Sequence, residues 1–157
     1  MDDVMHGMGK FKMADGAAYE GEWKGDKKDG KGTYTWAGRE VYEGEWKGGK
    51  RDGKGTLKMA NGAEYKGEWK DKKRHGKGKW KSADGVVYKG EFKDDRQNCE
   101  GTLRESNGDL FKVIYNQSNL VWRKRCVSSG DITAIYGALS SHPPPHQCCC
   151  LRCCSIL

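Results

Sequence analysis

The feature that most constrains this chain is an internal repeat with a period of 23 residues. The motif YEGEW begins at Tyr19 and Tyr42, YKGEW begins at Tyr65, and YKGEF begins at Tyr88. A second motif, DGKG or HGKG, recurs between them at the same spacing. A fixed period without insertions is typical of a repeat array, in which each unit packs mainly on its neighbours. Only 35% of the 157 residues are hydrophobic, which is too few for a large compact core.

Within each unit the residue types alternate with the period of a β-strand. In YEGEW the side chains of Tyr19, Gly21 and Trp23 point to one face, and those of Glu20 and Glu22 point to the other. Glycine weakens a strand, so its regular use here predicts a gap that receives an aromatic ring from a neighbouring strand. The pattern therefore predicts a sheet with one aromatic face and one face rich in lysine and glutamate.

Dipeptides of Asp or Asn followed by Gly stand between successive strands. They predict two-residue hairpin turns in which both central residues have positive φ. At Arg39 the glycine is replaced, and we expect a distorted turn there. The four dipeptides are Asp15-Gly16, Asn61-Gly62, Asp84-Gly85 and Asn107-Gly108.

The predicted fold class is all-β: an elongated, single-sheet antiparallel meander of stacked 23-residue β-hairpin repeats, with a short C-terminal helix and a flexible tail. The array is expected over residues 1–115, as about four full units with partial units at each end. Residues 116–140 are expected to cap it with a short helix, because apolar side chains recur there at helical spacing. Residues 141–157 are expected to form a flexible, Cys-rich tail.

The pattern Y-x-G-x-W, G-x-G and D/N-G, in register over roughly residues 6–115, resembles the MORN (membrane occupation and recognition nexus) repeat. The resemblance implies stacked β-hairpins, as in junctophilins, plant phosphoinositide kinases, ciliary radial-spoke components and one histone methyltransferase. In the enzymes of this group the repeats accompany a separate catalytic domain. The resemblance implies lipid binding or protein–protein scaffolding.

Basic residues recur at one phase of the repeat, in what the sequence predicts to be hairpin loops. Residues 19–93 hold 20 Lys and Arg against 13 Asp and Glu, which accounts for the whole net charge of +7. Equal phase predicts that these loops follow one edge of the sheet. They are either solvated turns or a binding surface for anionic phospholipid headgroups. The candidate headgroup-binding residues are Lys27, Lys28, Lys50, Arg51, Lys73 and Arg74, with Arg96 at the same phase.

Other partners follow from the same pattern. The aromatic face or the sheet edges could bind a protein partner or a second copy of the chain. Nucleic acid is disfavoured, because packing of the repeat already requires the aromatic side chains that would stack on bases.

The C-terminal residues Cys154-Ser155-Ile156-Leu157 fit the C-a-a-X prenylation box, with the terminal Leu indicating geranylgeranyl. The cysteines upstream of the box are candidates for palmitoylation: Cys148, Cys149, Cys150 and Cys153. Two alternatives remain open. The box could arise by chance in a Cys-rich tail. Alternatively, the tail could bind zinc through His142, His146, Cys150 and Cys153, although adjacent cysteines fit the usual ligand spacing poorly.

No set of residues indicates catalysis. The segment that begins at Gly25 approaches a phosphate-binding loop, but Gly32 stands where Ser or Thr would bind magnesium, and a strand follows instead of a helix. We therefore expect a non-enzymatic protein without cofactor or metal. The expected function is a lipid-tethered adaptor at the cytoplasmic face of a membrane. The alternative is a cytoskeletal or ciliary protein scaffold with no direct lipid binding.

Overall fold

The computed structural model describes residues 4–126, and these form one open sheet of eleven antiparallel strands that pair in chain order. The predicted all-β meander is confirmed. No helix occurs within residues 4–126, and the predicted C-terminal helix and tail lie outside the described residues. The strands are β1 (Gly7–Lys12), β2 (Ala18–Lys24), β3 (Lys27–Thr35), β4 (Val41–Lys47), β5 (Lys50–Lys58), β6 (Glu64–Lys70), β7 (Lys73–Lys81), β8 (Val87–Lys93), β9 (Arg96–Arg104), β10 (Leu110–Asn116) and β11 (Asn119–Arg125).

The sheet extends further than the sequence indicates. The array was expected to end at residue 115, with a capping segment after it. Instead, β11 pairs with β10 and continues the meander. The segment NLVWRKR lacks the glycine and tyrosine of the repeat, so the repeat pattern alone does not reveal this strand.

The core lies on the aromatic face, and the predicted alternation is confirmed. Tyr19 is 0% exposed, as are its three equivalents in the following repeats. Its ring lies across Gly21 and Gly32, which face each other on β2 and β3. A Cβ atom on Gly32 would overlap the Tyr19 hydroxyl, so the gap predicted from glycine is real and only glycine fits it. The same hydroxyl donates a hydrogen bond of 3.0 Å to the carbonyl oxygen of Glu22.

Aromatic rings also join one repeat to the next. The Tyr19 ring meets Trp23 edge-on at 4.9 Å between centroids and meets Trp46 of the next repeat at 5.5 Å. Trp46 Nε1 donates a hydrogen bond of 3.1 Å to the carbonyl oxygen of Gly32 on the preceding hairpin. Trp69 repeats that bond to Gly55 at 3.2 Å. Each indole therefore fixes its repeat against the previous one.

The turns differ from the sequence prediction. At Asp15-Gly16 only the glycine has positive φ, at 89°, and its amide donates to the carbonyl of Met13. This geometry is a three-residue loop, in which a left-handed residue follows a turn, and the predicted two-residue turn is wrong. Arg39 takes the glycine position with φ 67°, and its loop keeps the same pair of hydrogen bonds. The loop at Arg39 therefore has the hydrogen bonds of the glycine loops and is not distorted as expected. It differs from them only in that a residue with a Cβ atom adopts positive φ.

Two-residue turns with positive φ at both central residues occur at the opposite edge of the sheet. Gly25-Asp26 has φ of 57° and 59°, and Asp71-Lys72 has 47° and 73°. These turns follow the YxGEW strands, in the segments that the sequence indicated to be longer loops. Short turns leave the flanking basic residues inside strands, which decides where their side chains point.

A bulge follows the glycine of the motif in each repeat, and in YEGEW it gives the two glutamates different surroundings. Glu20 is exposed and pairs with Lys10 at 3.0 Å, as a solvated strand residue does. Glu22 instead reaches over Gly30, whose φ is 89°, and accepts a hydrogen bond of 2.8 Å from the backbone N–H of Lys31. The second glutamate therefore stabilises the bulged backbone, a role that the two-residue alternation does not reveal.

Candidate functional site

The predicted headgroup-binding residues begin strands β3, β5 and β7 and do not lie in loops. Neighbouring residues of a strand point to opposite faces, so each basic pair is divided between the two faces. The first members, Lys27, Lys50 and Lys73, are exposed on the polar face. The second members, Lys28, Arg51 and Arg74, are half-buried on the aromatic face.

The half-buried basic residues lie over aromatic rings. Lys28 Nζ is 3.9 Å from the centroid of the Tyr34 ring, and Arg51 Cζ is 4.3 Å from that of Trp69. Burial lowers the pKa of the Lys28 ammonium below its ordinary value. Cations in this position gain from the electron-rich ring faces and cover apolar surface with their stems.

The guanidinium groups also hold the next turn along the array. Arg51 donates to the carbonyl oxygen of Lys72 at 2.9 Å, and Arg74 donates to that of Asp95 at 2.7 Å. Arg74 further pairs with the Asp95 carboxylate at 3.3 Å. These contacts make the second member of each pair part of the folded framework, and leave the first member as the candidate for an external ligand.

Each exposed member faces another basic residue across its hairpin. Lys24 lies opposite Lys27, and Lys47 lies opposite Lys50. We call this set the basic edge. Half of its residues, those that follow the tyrosine motif, were not among the candidates from the sequence. Their signal is nevertheless present in the sequence, because a lysine follows every YxGEW and YKGEF motif. The basic edge consists of the cross-strand pairs Lys24/Lys27, Lys47/Lys50, Lys70/Lys73 and Lys93/Arg96, all of them exposed.

The turns of the basic edge carry part of the compensating charge. Lys50 Nζ is 2.7 Å from the Asp71 carboxylate, whose hydrogen bond raises the pKa of the lysine and lowers that of the aspartate. Lys73 lies 3.7 Å from Asp94. Four aspartates and one lysine occupy these two-residue turns. With Lys72, nine exposed basic side chains stand against six carboxylates: the four of the turns, and those of Asp29 and Asp52, which accept hydrogen bonds from the turn amides of Gly48 and Asp71. The edge therefore keeps a positive charge.

Backbone hydrogen bonds fix the spacing of the basic edge. The amide of Gly49 donates to the carbonyl of Lys28 at 2.8 Å, and Lys72 donates to Arg51 at 2.9 Å in the next repeat. Successive hairpins lie two strand spacings apart, which is about 10 Å. The edge is thus a regular row of positive charges, spaced closely enough for neighbouring hairpins to contact one anionic surface together.

The lipidation candidates, Cys154 and Cys148, Cys149, Cys150 and Cys153, lie outside the described residues. Within residues 4–126, no group of three His, Cys, Asp or Glu side chains could hold a metal ion. In the same part of the chain, no helix is long and apolar enough to cross a membrane.

An open sheet whose units pair only with their neighbours defines a class, the β-hairpin repeat proteins. The family model of the MORN repeat matches the chain in five consecutive units, at residues 1–18, 19–39, 42–64, 65–87 and 88–110. These units cover more than half of the sequence, and the chain belongs to the MORN repeat family. Strand β11 lies beyond the last matched unit. No curated protein matches the chain.

Proposed function

We propose that the protein is a non-enzymatic adaptor that lies at the cytoplasmic face of a membrane and contacts anionic phospholipid through the basic edge. The observation that carries the proposal is the row of four exposed cross-strand basic pairs at one edge of the array. Each Lys or Arg near an anionic bilayer contributes about 1 kcal/mol. A row of regularly spaced positive charges therefore favours an extended anionic surface over a small ligand that contacts only one of them.

The C-terminal sequence supports a second attachment. Prenylation of Cys154 would supply one hydrocarbon chain, and palmitoylation of the upstream cysteines would supply more. One chain alone gives only marginal and reversible membrane binding, so stable attachment requires a second signal. In this proposal the lipid chains hold the protein at the membrane, and the basic edge orients the array on it.

The first test is sedimentation of the full chain, purified from bacteria and thus unlipidated, with phosphatidylserine-containing vesicles and with neutral vesicles. We expect salt-sensitive binding to the anionic vesicles only, and its loss in Lys47→Glu/Lys70→Glu. These lysines are in no ion pair within residues 4–126, so the substitutions break no internal bond of that kind. The control, Lys12→Glu/Lys58→Glu, makes the same change in net charge away from the basic edge. Equal loss in both variants would contradict a specific role of the edge.

The second test concerns the tail and uses fractionation of cells that express the full chain. We expect Cys154→Ser to release the protein into the cytosol, because this cysteine is the only prenyl acceptor in the C-a-a-X box. The joint change of Cys148, Cys149, Cys150 and Cys153 to Ser should leave weak, exchanging attachment through one chain. A Cys154→Ser protein that stays membrane-bound would overturn the anchor. Dependence on Cys150 and Cys153 alone would favour zinc binding.

A protein scaffold without lipid contact is the second candidate, and the sheet edge favours it. Among residues 4–126, strand β1 pairs on one side only, and it exposes Met8 by 76% and Phe11 by 45%. An unpaired strand with apolar side chains is able to extend its sheet onto another chain. In the vesicle experiment, absence of binding to either lipid mixture, together with a dimer in light scattering, would favour this scaffold for a cytoskeletal or ciliary assembly.

A further inference from the structure

A second basic surface lies on the polar face of the sheet, away from the basic edge. There the strands β6 to β11 form a groove of about 980 Å³. Two glutamates, Glu91 and Glu100, also line it. Its lysines are Lys66, Lys77, Lys79, Lys89, Lys112 and Lys124. We call this surface the lysine groove.

Five of these lysines form a row that crosses the strands. Lys66 lies opposite Lys79, and Lys79 lies opposite Lys89. After Thr102, the row continues with Lys112 opposite Lys124. None of the five is in an ion pair within residues 4–126, and no acidic residue stands in this part of the row.

The neighbouring row on the same face has the opposite character. There Lys31 faces Glu45, Lys54 faces Glu68, and Lys77 faces Glu91. Opposite charges across a strand pair stabilise a sheet, whereas like charges in the same position destabilise it. The five-lysine row is therefore unfavourable for the fold by itself, and an acidic ligand would relieve the repulsion.

The groove has an apolar end. Ile114 lies opposite Trp122 in the register of β10 and β11, and both side chains line the groove. Thus the ligand that fits combines a row of negative charges with an apolar group at one end. The apolar end offers a contact that a phosphate backbone does not use, and the recessed shape disfavours a flat bilayer.

We propose that the lysine groove binds an acidic helix of a protein partner, which lies along the long axis of the sheet. Adjacent strands are about 4.8 Å apart, and one turn of an α-helix rises 5.4 Å, so carboxylates one turn apart meet successive lysines. From β6 to β11 the row spans about 24 Å, which is the length of a helix of about 16 residues. A leucine or similar side chain at one end of the helix contacts Trp122 and Ile114. The inference does not depend on membrane attachment.

The test uses the full chain and a fluorescent synthetic helix of about 16 residues, with Glu on one face and Leu at one end. A control peptide of the same composition has its glutamates distributed around the helix. Fluorescence anisotropy at physiological salt should show tighter binding of the first peptide. We expect Lys79→Glu/Lys89→Glu to weaken that binding at least about tenfold, and Lys12→Glu/Lys58→Glu to leave it unchanged.

Three outcomes would overturn the proposal. The first is equal affinity for both peptides, and the second is equal loss in both lysine variants. The third is binding of a single-stranded oligonucleotide or of anionic vesicles through Lys79 and Lys89 without binding of the acidic helix.

A stability measurement separates a binding role from a structural one. Lys79→Glu places a carboxylate between Lys66 and Lys89, and should raise the midpoint of thermal unfolding while it weakens peptide binding. A lowered midpoint would show that Lys79 stabilises the fold, and would contradict the argument from like-charge repulsion.

Discussion

At the scale of single residues, the buried tyrosine is the determinant of each repeat. Tyr65 has its ring over Gly67 and Gly78, and its hydroxyl donates a 2.9 Å hydrogen bond to the carbonyl oxygen of Glu68. Burial raises the pKa of this phenol, although nearby Arg74 partly offsets the effect. Burial likewise raises the pKa of Tyr19, to about 12. These tyrosines stay protonated in the folded state at a pH where an exposed tyrosine ionises.

This shift predicts loss of stability in alkali. Below about pH 10 the tyrosines are protonated in both states, and their full contribution is present. Above it, the unfolded chain releases protons that the folded chain retains, so the free energy of unfolding falls by up to about 1.4 kcal/mol per pH unit for each such tyrosine. Urea unfolding from neutral to alkaline pH should show a smaller fall in Tyr65→Phe than in the unmodified chain. The comparison cancels the lysines that titrate in the same range. Identical slopes would contradict the prediction.

At the scale of elements, the sheet alternates two kinds of turn on its two edges. The three-residue loops require a left-handed residue, and Gly16, Gly62, Gly85 and Gly108 supply it with φ between 85° and 93°. Arg39 holds the same position at φ 67°, which costs a residue with a Cβ atom about 1–2 kcal/mol. Part of that cost is offset because arginine restricts the unfolded chain more than glycine does.

We expect Arg39→Gly to raise the free energy of unfolding by about 0.5–1 kcal/mol, as measured by urea titration. Gly62→Ala is the matched control. It adds a Cβ atom at φ 85° in open space, and should lower stability through backbone strain alone. Destabilisation by Arg39→Gly would mean that the arginine side chain contributes more than its backbone costs.

At the scale of the whole molecule, the array presents two recognition surfaces and hides its aromatic core. On the aromatic face, basic side chains such as Lys28 and Arg51 lie over the rings. The basic edge and the lysine groove occupy different residues, one at the hairpin turns and the other in the middle of β6 to β11. If both proposals hold, the protein is able to contact a membrane and an acidic partner at the same time, which is the property required of an adaptor.

The sequence by itself determined the repeat, the strands that carry its tyrosine motif, and the faces of those strands. Side chains alternate with a period of two along a strand, so Tyr19, Gly21 and Trp23 had to share one face. A glycine at a fixed place beside a tyrosine predicted a ring above it, because no other residue leaves that space. These features are local, and the 23-residue period repeats them often enough to exclude another pattern.

Tertiary structure alone decided the turns and the charged surfaces. An Asp-Gly dipeptide fits both a two-residue and a three-residue loop, and that choice sets where the next strand begins. Neighbouring residues of a strand point to opposite faces, so Lys27 is exposed while Lys28 covers Tyr34. A shift of one residue would exchange these two positions. The row from Lys66 to Lys124 joins residues far apart in the chain, so it exists only through the register of successive strands. Register depends on the turn length and the bulge of each successive hairpin, so it cannot be deduced from the sequence of any single repeat.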